Sequence, residues 1–231
     1  MPLWQIGVTS MIESFKTVYT RGTSEIIVNK SKFIATVIPI KTEEDAISFI
    51  EETKKKYKDA NHNCYAYVIG PNDEIRRCSD DGEPSKTAGV PILDVLLLEK
   101  IHNTAIVVTR YFGGILLGTG GLVRAYQGAA KEGLNSCIII DKLYGSQLKV
   151  ITDYNGIGKL QYIIASLNIT TRNTTYTDIV EIELLAPQSI MEQFKKEAME
   201  STSGKVIFTP LDPVYYANIE GNIVVFDNEI S

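Results

Sequence analysis

The stretch that most constrains this 231-residue chain lies between residues 104 and 134. Residues 104–109 (TAIVVT) form a continuous β-branched and apolar run, which reads as a strand buried on both faces. Five of the chain's 17 glycines follow within residues 113–121. Residues 122–134 then read as a helix. A strand passing through a glycine-rich loop into a helix calls for a mixed α and β unit. Glycine lets a backbone take positive φ, and lets another backbone or a ligand come close. The free N–H groups and dipole at a helix start favour anions. Arg110 precedes the loop, and Arg124 lies about one turn into the helix. The loop therefore serves either as a tight turn or as an anion site, and spacing leaves both open. Two known phosphate motifs are excluded. Gly113-x4-Gly118 has P-loop spacing, but Thr119 stands where the lysine must be. Gly118-x-Gly120-x-x-Val123 lacks the third glycine of a dinucleotide fingerprint.

The pattern before this stretch is mostly strand. Residues 15–20 and 24–29, joined through Arg21-Gly22, read as a hairpin. Residues 31–40 are a third strand. Thr42, with Asp45 three positions on, opens a helix whose stripe is Ala46, Ile47, Phe49 and Ile50. Its end carries Lys54, Lys55 and Lys56, at the negative pole of the dipole. Residues 64–69 and 75–78 read as strands, 79–91 as a polar loop, 92–102 as a helix and 137–143 as a strand. After Tyr144-Gly145 the pattern restarts. Strand 147–152, helix 157–167, strands 168–175 and 178–185, helix 190–199 and strand 205–209 give the order βαββαβ, which is ferredoxin-like. The expected organisation is an extension over 1–14, whose residues 1–10 read either as an upstream start before Met11 or as an added, non-native stretch. A first domain follows over 15–143, a second over 146–220 and a tail over 221–231. The short Tyr144-Gly145-Ser146 junction permits a hinge.

Charge supports this division. The formal net charge is −5. Residues 1–143 hold 17 basic and 17 acidic side chains, whereas residues 144–231 hold 6 and 11. No whole-chain basic footprint for nucleic acid exists, but a phosphate-sized site in the first domain remains open. With 44% hydrophobic and 22% charged residues, disordered, collagen-like and coiled-coil chains are excluded. Three cysteines without a CxxC fit reduced thiols, and no apolar run approaches the ~20 residues of a membrane helix. The expectation is a cytoplasmic protein with no membrane partner.

Catalytic groups are sparse. His62 and Cys64 share a strand face, yet no third group orients them as a nucleophile pair. Asp80, Asp81 and Glu83 share a turn that lacks calcium-loop spacing and any paired histidine for zinc. That turn reads as a solvated loop, with Asp80 and Asp81 a weak magnesium candidate. Tyr65 and Tyr67 share a face and serve either packing or base stacking. No cofactor and no metal are implied.

Four motifs occur in order: Ser31-Lys32-Phe33-Ile34, then His62-Asn63-Cys64-Tyr65-Ala66-Tyr67, then residues 79–89 (SDDGEPSKTAG), then Arg110-Tyr111-Phe112-Gly113-Gly114-Ile115-Leu116-Leu117-Gly118. Over residues 15–135 this chain resembles the YigZ/IMPACT family, and residues 144–220 resemble the C-terminal domain of its bacterial members. The resemblance implies an α+β protein. Its first domain would be an α/β domain similar to the second domain of a small-ribosomal-subunit protein. Its second would be ferredoxin-like, similar to the last domain of the translocation elongation factor. Eukaryotic IMPACT proteins regulate translation initiation under stress. That activity also depends on a further N-terminal domain of theirs and is not carried over. A proline dipeptidase label used for some members finds no two-metal cluster here.

The expected function is a non-enzymatic, translation-associated regulator. It would bind RNA or a ribosome-associated factor through Lys32, Arg110, Gly113, Gly114, Gly118, Thr119, Gly120, Gly121 and Arg124. His62, Asp80, Asp81 and Lys86 are secondary candidates. Two alternatives stand beside it. One is a module docking a protein through the acidic C-terminal domain. The other is an enzyme acting on a small phosphorylated or nucleotide ligand.

Overall fold

The computed structural model describes residues 13–226. The expected extension over 1–14 therefore lies almost wholly outside the described residues. The chain divides into two compact units. One is Phe15–Asp141, and the other takes residues 142–226 with Glu13 and Ser14.

The first unit contains β1 (Ser14–Val18), β2 (Gly22–Val28), β3 (Ser31–Pro39), α1 (Glu43–Lys56), β4 (His62–Ile69), β5 (Ile75–Ser79), α2 (Gly89–Leu98), β6 (Ile101–His102), β7 (Thr104–Tyr111) and α3 (Gly118–Asn135). Five strands form an antiparallel sheet in the order β2-β3-β7-β4-β5. On one face, Phe33, Ala35, Cys64, Ala66, Ile106 and Val108 pack against α2 and α3. On the other, Tyr67, Ala105 and Val107 pack against Phe49 and Ile50 of α1. The central strand β7 is thus buried on both faces, as its apolar run requires. Helix α1 begins in a capping box. Thr42 Oγ1 accepts from the Asp45 amide, and the Asp45 carboxylate accepts from the Thr42 amide.

Three local expectations are corrected. The hairpin through Arg21-Gly22 does not form, because β1 pairs in parallel with β6 while β2 pairs with β3. The turn instead falls at Asn29-Lys30, both at positive φ (45° and 64°), the conformation that two-residue hairpins require. Helix α2 starts earlier than residue 92 and stops at Leu98, after which Lys100 takes φ 55° and Ile101–His102 becomes a strand. Helix α3 begins at Gly118, so half of the presumed glycine loop is helical. Burial of Leu122, Ala125, Tyr126, Ala129 and Ala130 along one side of α3 outweighs the poor helix propensity of glycine.

The second unit holds most of β8 (Ile139–Thr152), then α4 (Ile157–Ser166), β9 (Thr170–Tyr176), β10 (Val180–Ala186), α5 (Gln188–Ser201), β11 (Ile207–Ile219) and β12 (Asn222–Phe226). Strand order β9-β10-β8-β11 with antiparallel pairing is the ferredoxin-like sheet. Leu148, Val150, Ile182 and Leu184 meet Leu160, Ile164, Met191 and Phe194 from α4 and α5 in its core. Residues 222–226, read as tail, form β12 against β11. Tyr144, Gly145 and Ser146, read as a junction, lie inside β8 in register with β11 and β10. A Cβ on Gly145 would come within 2.6 Å of Leu185 and Tyr216. That glycine serves close packing and does not break the strand.

Candidate site at the start of helix α3

Arg110 sits near the end of β7 opposite Phe33 of β3 and His62 of β4. It is only 5% exposed. Its Nη1 donates to Glu83 Oε1 at 2.6 Å, and both side chains are nearly sealed from solvent. Its guanidinium lies 5.4 Å from the Phe33 ring centre and 5.6 Å from that of Phe112. Such cation–aromatic contacts favour a desolvated charge. Nε has no hydrogen-bond partner.

Glu83 is the hub of this cluster. The same oxygen, Oε1, accepts from the Tyr126 hydroxyl at 2.8 Å and lies 3.8 Å from His62 Nε2. His62 Nδ1 faces the Asp81 carbonyl at 2.9 Å, which requires the proton on Nδ1. Cys64 Sγ donates to the Asp80 carbonyl at 2.9 Å and lies 3.4 Å from the Tyr126 hydroxyl. Burial pushes the Cys64 thiol up to about 12, so it does not supply a thiolate at neutral pH. Burial also raises Tyr126, with Cys64 and Glu83 adding to the effect.

The carboxylates of the 79–89 loop are engaged within the protein. Asp80 accepts from the amides of Lys86, Ala88 and Gly89 at 2.8, 3.0 and 2.8 Å. It thereby caps α2 from eight and nine residues away, a contact no local pattern shows. Burial pulls Asp80 upward, but the three amides outweigh it and hold the carboxyl below its ordinary value. Asp81 accepts from the Asn63 amide at 2.7 Å and from Lys54 Nζ at 2.6 Å. Among the described residues, no three His, Cys, Asp or Glu are placed to hold a metal ion. Lys86 is exposed at positive φ (62°).

The glycine run lies over this cluster. The Gly113 amide donates to Ser31 Oγ, which also lies 3.4 Å from Arg110 Nη2. A Cβ on Gly113 would stand 2.0 Å from the Lys30 backbone, so glycine is required for close approach there. Gly114 (φ 82°) and Gly118 (φ 67°) face open space and are required for their backbone angles. Helix α3 has no side-chain cap at Leu117. Its first amides, those of Gly118, Thr119 and Gly120, lack intrahelical partners, and all three residues are exposed, with Gly121 half-buried after them. Arg124 is exposed one turn later.

The expected phosphate set is therefore divided. Gly118, Thr119, Gly120, Gly121 and Arg124 share the start of α3. Arg110 is removed from direct contact by its buried pair. Lys32 belongs to the opposite sheet face, since it neighbours Phe33 along β3 and lies over the Tyr111 ring at 5.0 Å. His62, Asp80, Asp81 and Arg110 do converge, but as a bracing network around Glu83, whose central role the sequence reading missed. One signal pointed to it. A charged residue ending a strand buried on both faces needs a buried partner of opposite sign. Tyr67 is buried and donates to Glu43, so it does not serve as a stacking platform.

Comparison with known proteins agrees with this architecture. Residues 29–134 match the Impact N-terminal domain, and residues 150–205 match a domain of unknown function, DUF1949. IMPACT family member YvyE of Bacillus subtilis (strain 168) is 40% identical over 195 residues, covering 84% of this chain and 90% of that protein. IMPACT family member YigZ of Escherichia coli (strain K12) is 30% identical over 181 residues, covering 78% and 89%. A crystal structure of an hypothetical protein superposes with a TM-score of 0.56 at 27% identity, covering 87% of this chain and 99% of that one. No helix among the described residues is long and apolar enough to cross a membrane. The motif-bearing segments that meet around Glu83 all fall inside the first matched region, and both regions occur in one chain of the relatives' length. The chain belongs to the IMPACT family.

Proposed function

We propose that this protein is a non-enzymatic, translation-associated regulator that contacts RNA, or a ribosome-associated factor, through the start of α3. The observation that carries the reading is Arg124, exposed and without an ion-pair partner among the described residues, beside an uncapped glycine-rich helix start. Backbone amides and one guanidinium suit a single phosphate. The buried Glu83–Arg110 pair holds the preceding loop in place. Family membership supports a translation-related setting, without the stress activity of the eukaryotic members. The net charge of −5 does not oppose a local phosphate contact, since screening confines charge interactions to about 8 Å at physiological salt.

The test is RNA binding by fluorescence anisotropy across a salt series, using a single-stranded RNA and a ribosomal RNA hairpin. Arg124→Ala is expected to weaken binding several-fold and to lower the salt slope by about 0.7 for the single strand. Binding that is indifferent to Arg124→Ala, or to salt, overturns the reading. Arg110→Ala is unsuitable, because it breaks a buried pair.

A second reading is docking of a protein through the acidic second unit. It is favoured by three exposed tyrosines there, Tyr154, Tyr162 and Tyr176. Exposed aromatic residues are enriched at protein interfaces.

A further inference from the structure

Between β2 and the first two turns of α3 lies a cavity of about 230 Å³. Its walls are Ile26 and Val28 of β2, with Leu117 and Ala125. Gly121 also lines it and packs close to Leu117, where an added Cβ would meet the Leu117 Cβ at 3.1 Å. The polar groups at its edge are Asn29 and Arg124, and no acidic residue lines it. One large aliphatic side chain, Leu116, stands 86% exposed next to the wall residue Leu117. Aliphatic surface around a cavity marks an interaction site more often than a scattered exposed residue does.

Three properties identify the occupant. The volume is below the ~300 Å³ at which small-molecule pockets begin, and suits one large side chain or one base. The walls are aliphatic. A base would set its polar edge against Ile26 and Val28, and no aromatic ring is present to stack it. An apolar side chain loses nothing there. Charge supplies the third property. Arg124 at the cavity edge carries no ion-pair partner among the described residues, so the occupant brings negative charge. A second copy of this chain would bring the same arginine to a shared twofold and meet like-charge repulsion.

We propose that this cavity anchors a segment of a partner protein. One large apolar side chain (Leu, Ile or Phe) enters between β2 and α3, and an adjacent Asp or Glu pairs with Arg124. This site goes beyond the RNA reading and stands without it.

The test uses the full chain. A display library of random nine-residue peptides is selected on it, and the enriched peptides are titrated against methyl-labelled protein. The expected consensus is one large apolar residue within two positions of Asp or Glu. Methyl shifts should concentrate at Ile26, Val28, Leu117 and Ala125. Changing the anchor of the peptide to Ser should weaken binding at least tenfold. Arg124→Glu, an exposed change that leaves the core intact, should also weaken it at least tenfold, and reselection on that variant should recover Lys or Arg beside the anchor. The proposal is overturned if no peptide is enriched, if the consensus lacks the apolar–acidic pair, or if the shifts lie elsewhere. It is also overturned if a nucleoside monophosphate, and not the peptides, shifts these four methyls. Failure of the RNA salt series leaves the peptide readouts unchanged, so the two proposals fail separately.

Discussion

Replacing Glu83 with Gln tests the bracing network most directly. The change preserves shape and one oxygen acceptor but removes the charge. Both ion-pair side chains are nearly sealed, at 6% exposure for Arg110 and 4% for Glu83. Arg110 would then keep a buried guanidinium with no opposing carboxylate at 2.6 Å and with Nε still unpartnered. Removing one member of a buried pair costs about 3–5 kcal/mol. For a unit of this size that corresponds to a fall in Tm of roughly 10–20 °C. The assay is thermal and urea unfolding of four proteins: the parent, Glu83→Gln, Arg110→Met and the double variant. The double variant removes the stranded charge along with its partner, so it should be more stable than the sum of the two single losses predicts. The reasoning is refuted if Glu83→Gln costs less than about 1 kcal/mol, or if the two single costs simply add.

Three other outcomes follow from the same geometry. Asp80→Asn should destabilise the protein by about 2–3 kcal/mol at neutral pH, because a carboxylate accepting three amides is lost. The Asp80 carboxyl is depressed when folded, so its contribution is present above the ordinary aspartate value of about 3.9 and is lost as pH falls through the folded value. The gap between parent and variant should accordingly narrow below about pH 4 in urea titrations. Thiol titration of the native protein at pH 8 should label exposed Cys78 first and leave Cys64 unlabelled until unfolding, since burial pushes Cys64 to about 12. Rapid labelling of Cys64 would contradict its place in the core. Gly113→Ala should cost more than about 3 kcal/mol from collision with the Lys30 backbone, while Gly114→Ala should cost only about 1–2 kcal/mol from its positive φ. Equal unfolding midpoints for the two variants would refute the assigned contact.

The second unit was the more legible in sequence. Leu160, Ile163, Ile164 and Leu167 repeat at helical spacing, and the strands around them alternate or run short, so local pattern and tertiary burial agree. In the first unit they part most clearly at two places. Arg21-Gly22 looks like a turn, but β1 finds its partner in β6 some eighty residues away, and no local signal encodes such a pairing. Residues 118–121 look like loop because three of the four are glycine, and only the buried side of α3 reveals the helix. The candidate site was half legible. Gly118–Gly121 and Arg124 share the start of α3, as their spacing predicts. Arg110 was misread as a ligand because its partner Glu83 is 27 residues away and lies among acidic neighbours that look solvated.

The contact between Gly113 and the Lys30 backbone also constrains which sequence changes the fold admits. The hairpin tip at Asn29-Lys30 and the entry to the glycine run touch with no side chain between them, so neither segment can lengthen by one residue without displacing the other. Insertions and deletions there must arise as matched pairs or not at all. The turn at residues 71–74 is held differently, by side chains, since Asp73 meets His102 at 2.7 Å and Glu74 accepts from the Asn72 amide at 3.0 Å. A library built on this scaffold would therefore need to hold residues 29–31 and 112–114 constant in length.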